Sequence, residues 1–319
     1  MNAKAEVAIV MRSLNEQPHA DRALAGLRRQ TYVDWVLYNI DSGSTDGTLE
    51  AVQRFNPDPG KVFQIPKEAY VPGRVLNATI AKTVEPIIVL QNADAVPVNE
   101  RWLERLIAPI LRGEAAATMS RQVARAPARF VVKYDLDRGY DPKNQKGGSG
   151  DLFSAVACAF TRALWEETKF PEQGYAEDLA WAKVCREKGA RFVLVPDSIV
   201  EHSHDYTLSA LYRKRYRHGL TFADIFGEEP RLWRHALRCG KEVARDVLHA
   251  CAARRPDTIP YNLAYRATIH LAYYAGEREG ALKRRRGGAR VTSDAPAHAE
   301  PQIPATGTLQ VVAPRAERP

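Results

Sequence analysis

Two adjacent acids, Glu177 and Asp178, open a stretch that reads as a helix. Leu179, Ala182 and Cys185 recur on its apolar side, and Gly189 ends it. An acid in a first helical turn is stabilised by free N–H groups and by the positive end of the dipole. That accounts for one acid. Two of them, directly after Gly174-Tyr175-Ala176, fit proton transfer as well. A carboxylate held there can remove a hydroxyl proton as the oxygen attacks, a contribution of about 10²- to 10⁴-fold. Asp178 is the candidate base. Glu177 is the helix cap or a binder of acceptor hydroxyls. The same spacing also suits two acids that are simply solvated.

Two more carboxylates follow apolar runs. Asp41 comes after Trp35–Ile40, where it can accept the imide N–H of uracil or thymine, or turn the chain with Gly43 and Asp46. Asp94 comes after Pro86–Leu90, where an unpaired carboxylate is costly. A divalent cation or a ribose hydroxyl would satisfy it. One carboxylate holds Mg²⁺ or Mn²⁺ weakly. An imidazole from His202 or His204, placed after the run Phe192–Val195, would favour Mn²⁺. Taken singly, each His serves equally as a core or surface residue.

The elements that position these groups alternate. Apolar runs at 7–11, 35–40, 61–65 and 86–90 read as strands. The stretches 19–30, 49–55, 75–83 and 102–111 between and after them read as helices. Alternation of this kind predicts an α/β fold with a mostly parallel sheet. Ligands then bind at the carboxyl ends of the strands, so the polar clusters at 12–16, 41–48 and 91–95 should share one rim. Residues 133–150 lack periodicity and read as a mobile loop over the site or as a surface insertion.

With 319 residues and 45% apolar composition the chain can form one large domain with extensions. No apolar run is long enough to cross a bilayer, and the polar start gives no sign of a signal peptide. Four scattered cysteines read as thiols of a reducing cytoplasm. The net charge of +8 is concentrated: residues 205–290 hold 18 Lys/Arg against 9 Asp/Glu. Three helices are expected there, about 206–226, 230–253 and 261–274. A basic region of this kind suits an anionic membrane surface, though the helices could equally pack on the domain before them with a solvated basic face. Aromatics are not interleaved as in RNA-binding modules, so no nucleic-acid partner is expected. The expected organisation is a catalytic domain at 1–204, a basic helical extension at 205–286 and a disordered tail at 287–319.

Absent motifs narrow the chemistry. There is no Gly-x-Gly-x-x-Gly after the first strand, no P-loop and no Gly-x-Ser-x-Gly elbow. In order, the chain carries Arg12-Ser13-Leu14-Asn15-Glu16, Asp41-Ser42-Gly43-Ser44-Thr45-Asp46-Gly47-Thr48 and Gly73-Arg74 with Asn77. Asn92-Ala93-Asp94-Ala95-Val96-Pro97, Tyr175-Ala176-Glu177-Asp178 and Val200-Glu201-His202-Ser203-His204 follow. In these motifs, over about residues 7–219, the chain resembles the family 2 glycosyltransferases with a GT-A fold. The Asp-Ala-Val-Pro form and the run His202-Ser203-His204-Asp205-Tyr206-Thr207-Leu208 resemble the bacterial rhamnosyltransferase branch.

The resemblance implies inverting transfer from a nucleotide-diphosphate sugar, such as dTDP-rhamnose, to a saccharide or lipid-linked acceptor in cell-surface polysaccharide synthesis. The setting it implies is cytoplasmic, peripheral to the inner membrane face. Asp41 would hold the base. Arg74 and Asn77 would line the nucleotide pocket together with Arg12, Asn15, Glu16, Ser42 and Asn92. Asp94, His202 and His204 would meet a Mn²⁺ or Mg²⁺ on the diphosphate, and Asp178 would be the base. One departure matters: Asn92 stands where the usual motif has its first acid, so Arg74, Arg213 or Arg217 could supply charge to the leaving diphosphate. The rival expectations are a nucleotidyltransferase and a catalytically impaired sugar-nucleotide-binding module.

Overall fold

Alternation along the first strand, β1 (Val7–Ser13), sets up the molecule. Val7, Ile9 and Met11 enter one apolar core and Ala8 and Val10 the other, all of them fully buried. A strand buried on both faces belongs in a sheet covered by helices on each side. The computed structural model describes residues 6–144, 152–172, 176–227, 229–286 and 310–311.

The remaining strands are β2 (Trp35–Asp41), β3 (Val62–Gln64), β4 (Ile87–Asn92), β5 (Val96–Pro97), β6 (Ala117–Val123), β7 (Ala157–Thr161), β8 (Phe192–Glu201) and β9 (Gln310–Val311). They form one sheet in the order β5-β8-β6-β7-β4-β1-β2-β3-β9. The first four strands run parallel. β7 is antiparallel to both β4 and β6, and β6 is parallel to β8. Strands 1, 2, 3, 4, 6 and 8 therefore point the same way. Their carboxyl ends form one rim, with a switch in strand order between β1 and β4.

The helices are α1 (His19–Arg28), α2 (Thr48–Phe55), α3 (Pro72–Ile80), α4 (Trp102–Leu111), α5 (Phe130–Gly139), α6 (Arg162–Glu167), α7 (Glu177–Glu187), α8 (Leu208–Phe226), α9 (Leu232–Ala252) and α10 (Ile259–Arg285). Leu24 and Leu27 of α1, Val52 of α2 and Trp102 of α4 fill one core. Leu76 of α3, Trp165 of α6 and Trp181 of α7 fill the other. The result is a three-layer α/β/α domain of the expected GT-A kind with a helical extension.

Three expectations change. Residues 133–139, expected as the start of a loop, belong to the helix Phe130–Gly139, because tertiary contacts stabilise it. Val131 packs with Leu211, Tyr265 and Ile269, and Tyr134 stacks on His249 at 3.7 Å. The glycine-rich end of the expected loop, 145–150, lies outside the described residues. In the expected tail, Gln310–Val311 pairs antiparallel with β3; the rest, from 287 on, lies outside the described residues. The last helix runs on to Arg285 instead of ending near 274.

The extension is held to the sheet domain by polar bonds as well as by apolar contacts. The buried Arg266 of α10 donates to Asp135 of α5 (Nη1, 2.9 Å) and to Asp246 of α9 (Nε, 2.6 Å). Helices α8 and α10 cross closely: a Cβ placed on Gly276 would lie 2.2 Å from the Tyr216 carbonyl oxygen. Only a residue without a side chain permits that approach.

Candidate active site

β1 delivers Arg12 and β4 delivers Asn92, neighbours in the parallel ladder. Arg12 donates through Nη2 and Nε to Asn92 Oδ1 at 3.0 and 3.2 Å. Its Nη1 lies 3.1 Å from Glu177 Oε1, with both side chains largely buried. Arg12 thus ties two strand ends to the first turn of α7. The preceding residue, Ala176, sits at φ 70°, a left-handed conformation that costs an alanine about 1 kcal/mol. Strain of this kind collects at functional sites.

The neighbouring acid is differently placed. Asp178 is half-buried; its Oδ2 accepts from the Ala155 N–H at 3.1 Å and its Oδ1 from the Leu179 N–H at 2.9 Å. Burial first, and then the charge of Glu177, push its carboxyl up to about 6. A carboxylate near that value is basic enough to accept a proton and still largely ionised at neutral pH.

A second cluster lies just beyond Asn92. Asp94 is almost fully buried in the turn after β4. His202 Nε2 and His204 Nε2 each lie 3.4 Å from its Oδ2. Ligand atoms of the three residues fall within 4.8 Å of one another, and no other such group of His, Cys, Asp or Glu occurs among the described residues. Gln122 Nε2 donates to Ser154 Oγ, which turns Gln122 Oε1 towards His202 Nδ1 at 2.9 Å. His202 Nδ1 is then the donor, and Nε2 presents a lone pair into the cluster with no hydrogen-bond partner. Burial pushes His202 down to about 4, so it is neutral at pH 7. A neutral imidazole, fixed by an outer partner and aimed at a carboxylate, is able to take a metal ion. Burial opposes ionisation of Asp94, but the two histidines when protonated, together with Arg125, hold its carboxyl below the usual range.

Arg125, from the chain after β6, also enters this cluster. Its Nη2 donates to the Asp94 carbonyl at 2.6 Å and to Oδ2 at 3.2 Å. Glu16 approaches from the β1 loop; burial and the charge of Asp94 push it up to about 8. From the extension, Lys214 Nζ donates to Tyr206 OH at 2.7 Å, and the Tyr206 ring stacks on His204 at 5.3 Å. Burial pushes Lys214 down to about 8, and it feels the charges of both Asp94 and Asp178. Through Tyr206, Lys214 adjoins the His204 side of the Asp94 cluster.

Several residues expected to touch ligand are also engaged by the protein. Asp41 is fully buried. Its Oδ1 accepts from the N–H groups of Gly43 and Ser44, and its Oδ2 from the hydroxyls of Ser13 and Ser44, at 2.6–2.9 Å. Its carboxylate builds the loop. Ser42 is buried beneath that loop, and its N–H donates to the Ser13 carbonyl. Asn15 clamps the loop from the other side, its Oδ1 accepting from the Thr45 N–H at 2.8 Å.

Asn77 is saturated as well. It donates to the Phe170 carbonyl and Glu172, and accepts from Trp165 Nε1 and the Phe170 N–H, at 2.9–3.2 Å. One turn earlier, a Cβ on Gly73 would lie 1.9 Å from the Pro171 carbonyl oxygen. The Gly73–Asn77 face of α3 therefore seats residues 170–172, which lead towards α7. Arg74 lies beside it, 3.6 Å from Glu172 and partly exposed. Arg213 and Arg217 point outward to solvent; Lys214 and Arg215 are the inward residues of that turn.

With this geometry in hand the chain can be classed. Residues 8–166 match the family model described as Glycosyl transferase family 2. The chain belongs to the family 2 glycosyltransferases. It is 23% identical over 230 residues to the O-antigen chain rhamnosyltransferase RfbN of Salmonella typhimurium, covering 68% of this chain and 73% of that protein. It is 23% identical over 208 residues to the O-antigen chain rhamnosyltransferase WbaN of Salmonella anatum, covering 61% and 65%. The fold is similar to that of the mannosyltransferase PcManGT of Pyrobaculum calidifontis, solved with GDP-Man and Mn²⁺, at TM-score 0.55, 20% identity and coverage of 90% and 80%. It is also similar to glucosyl-3-phosphoglycerate synthase of Mycobacterium tuberculosis, solved with Mn²⁺, UDP-glucose and phosphoglyceric acid, at TM-score 0.51, 19% identity and coverage of 70% and 80%. No helix among the described residues is long and apolar enough to cross a membrane.

Proposed function

We propose that the protein transfers a glycosyl group, with inversion, from a nucleoside-diphosphate sugar to a hydroxyl of a saccharide or lipid-linked acceptor. The observation that carries this reading is the contrast between the two acids. Glu177 is ion-paired to Arg12, while Asp178 is held near 6 beside it. In the proposed reaction Asp178 takes the acceptor hydroxyl proton as that oxygen bonds to the anomeric carbon. The bond from that carbon to the diphosphate oxygen breaks on the opposite face, and its electron pair leaves with the diphosphate.

The departing charge needs cations, and stabilising it is the largest effect such a site can supply. Lys214 is suitably placed, and at about 8 it remains mostly protonated at neutral pH. Asp94, His202 and His204 would hold a Mn²⁺ or Mg²⁺, which when bound supplies Lewis-acid stabilisation of the diphosphate. Asn92 accepts from Arg12, so the strand end that lacks an acid already carries a cation. dTDP-rhamnose is the first donor to try, because the relatives named above are called rhamnosyltransferases. Cell-surface polysaccharide synthesis is the corresponding setting.

A second reading has one observation in its favour. Asn92 replaces an acid and Arg125 partly neutralises Asp94, as a catalytically impaired sugar-nucleotide-binding module would allow. A thermal-shift screen with dTDP, UDP and GDP, each with and without Mn²⁺, followed by an assay for nucleoside-diphosphate release, tests both. Selective stabilisation plus release supports the transferase. Stabilisation without release, whatever the acceptor, supports the module.

A further inference from the structure

Helix α9 carries an outward strip that no other described residue covers. Trp233, Leu237, Gly240, Ala244 and Leu248 recur every three or four residues, so they lie along one line of the helix. All five are exposed, with Trp233 at 59%, Leu237 at 52% and Leu248 at 71%. Arg234, Arg238 and Lys241 follow Trp233, Leu237 and Gly240 by one residue and line one edge of that part of the strip. Arg234 itself stacks against Trp233.

The opposite face is pinned. His235 bonds Glu277 at 3.0 Å, Glu242 bonds His270 at 3.2 Å, and Asp246 bonds Arg266 at 2.6 Å. Both acids of α9 are thus turned inward, and the helix cannot roll to hide its apolar line.

We propose that this strip is a docking face for an anionic lipid surface, with Trp233, Leu237 and Leu248 entering the headgroup–acyl boundary. An apolar line beside a row of Arg and Lys, with no outward acid on the helix, matches an interfacial helix lying in the plane of a bilayer. Exposed tryptophan is suited to that boundary, with one apolar and one polar side to its ring. Charge complementarity selects lipid over a second copy of this chain, since two such faces would bring cationic rows together. The surface is independent of the donor chemistry, so it stands or falls apart from the transferase reading.

The test uses the full chain with phosphatidylcholine vesicles, with and without phosphatidylglycerol. Of the five tryptophans, Trp102, Trp165 and Trp181 are buried and Trp35 is half-buried, so Trp233 dominates a solvent-dependent emission change. Flotation and a blue shift are expected with anionic vesicles only. Arg238→Gln and Lys241→Gln should each lower partitioning about fivefold. The triple variant Trp233→Gln/Leu237→Gln/Leu248→Gln should abolish flotation, while Leu263→Gln/Leu271→Gln, on the exposed side of α10, should leave it intact. Quenching of wild-type Trp233 by brominated lipid gives the same answer without any variant. Undiminished flotation of the triple variant, or no quenching, overturns the proposal. So does a blue shift without vesicles that grows with protein concentration alongside a dimer in light scattering. Nucleotide thermal shifts on the same samples report separately on the donor site.

Discussion

Arg12 and Glu177, 165 positions apart in sequence, meet at 3.1 Å, and this contact differentiates the two acids at the head of α7. Glu177 is committed to a cation, while Asp178 is left with only backbone donors. Because burial and then Glu177's charge raise Asp178, removing that charge should lower it. Glu177→Gln should therefore move the acid limb of the pH–rate profile below its wild-type midpoint near 6. A limb that stays in place or rises would remove Glu177 from the tuning of Asp178.

In the wild type, Asp178 is protonated below about pH 6 and cannot accept a proton, so the rate should fall about tenfold per pH unit below that point. The linkage has the opposite sense. A carboxyl raised on folding favours the folded state while protonated, and that contribution is lost as pH rises through 6. Activity should therefore rise with pH over the interval in which this residue's stabilising contribution declines. Parallel rate and melting profiles would check both signs.

Gln122 reaches the proposed metal-binding cluster through His202. Gln122→Leu should weaken Mn²⁺ affinity about 10- to 100-fold by releasing the imidazole from its tautomer. Nucleotide affinity measured without metal should be unchanged. A calorimetric Mn²⁺ titration separates this outcome from general damage, which would lower both.

Lys214 should behave as a diphosphate-facing cation. Loss of one charge-assisted hydrogen bond, about 1.5–3 kcal/mol, corresponds to roughly 10- to 100-fold in transfer rate for Lys214→Met. Arg213→Met, an outward change one residue earlier, should have little effect. Equal losses from both would point to bulk charge instead of position.

Gly276→Ala forces a methyl against the Tyr216 carbonyl and should cost about 1–3 kcal/mol. Because Lys214 rides on the same α8, transfer should fall as well. A lowered melting temperature with normal transfer would separate the helix crossing from the site.

The sequence made parts of this arrangement readable for definite reasons. Strands buried on both faces leave uninterrupted apolar runs, so the ends carrying Arg12, Asp41 and Asn92 were visible, and so was their shared rim. The helix at 130–139 was not visible, because Val131 and Tyr134 find their partners on α8, α9 and α10. Arg125 reaches Asp94 across 31 positions from the end of a strand of mixed polarity, and no local pattern marks it. The inward residues of α8 could have been found: Lys214, Arg215 and His218 lie three, four and seven positions after the buried Leu211. Asn77 and Asp41 read as ligand contacts because polar residues near strand ends can serve ligand or scaffold, and the structure adds the scaffold bonds that the sequence could not show.

The most direct measurement compares wild type with Asp178→Asn for sugar-nucleotide binding and for nucleoside-diphosphate release in the presence of Mn²⁺ and a saccharide acceptor. The account predicts equal donor affinity in the two proteins and a loss of release of at least about 10²-fold in the variant. Near-normal release from Asp178→Asn, or no binding of any sugar nucleotide by the wild type, would contradict it.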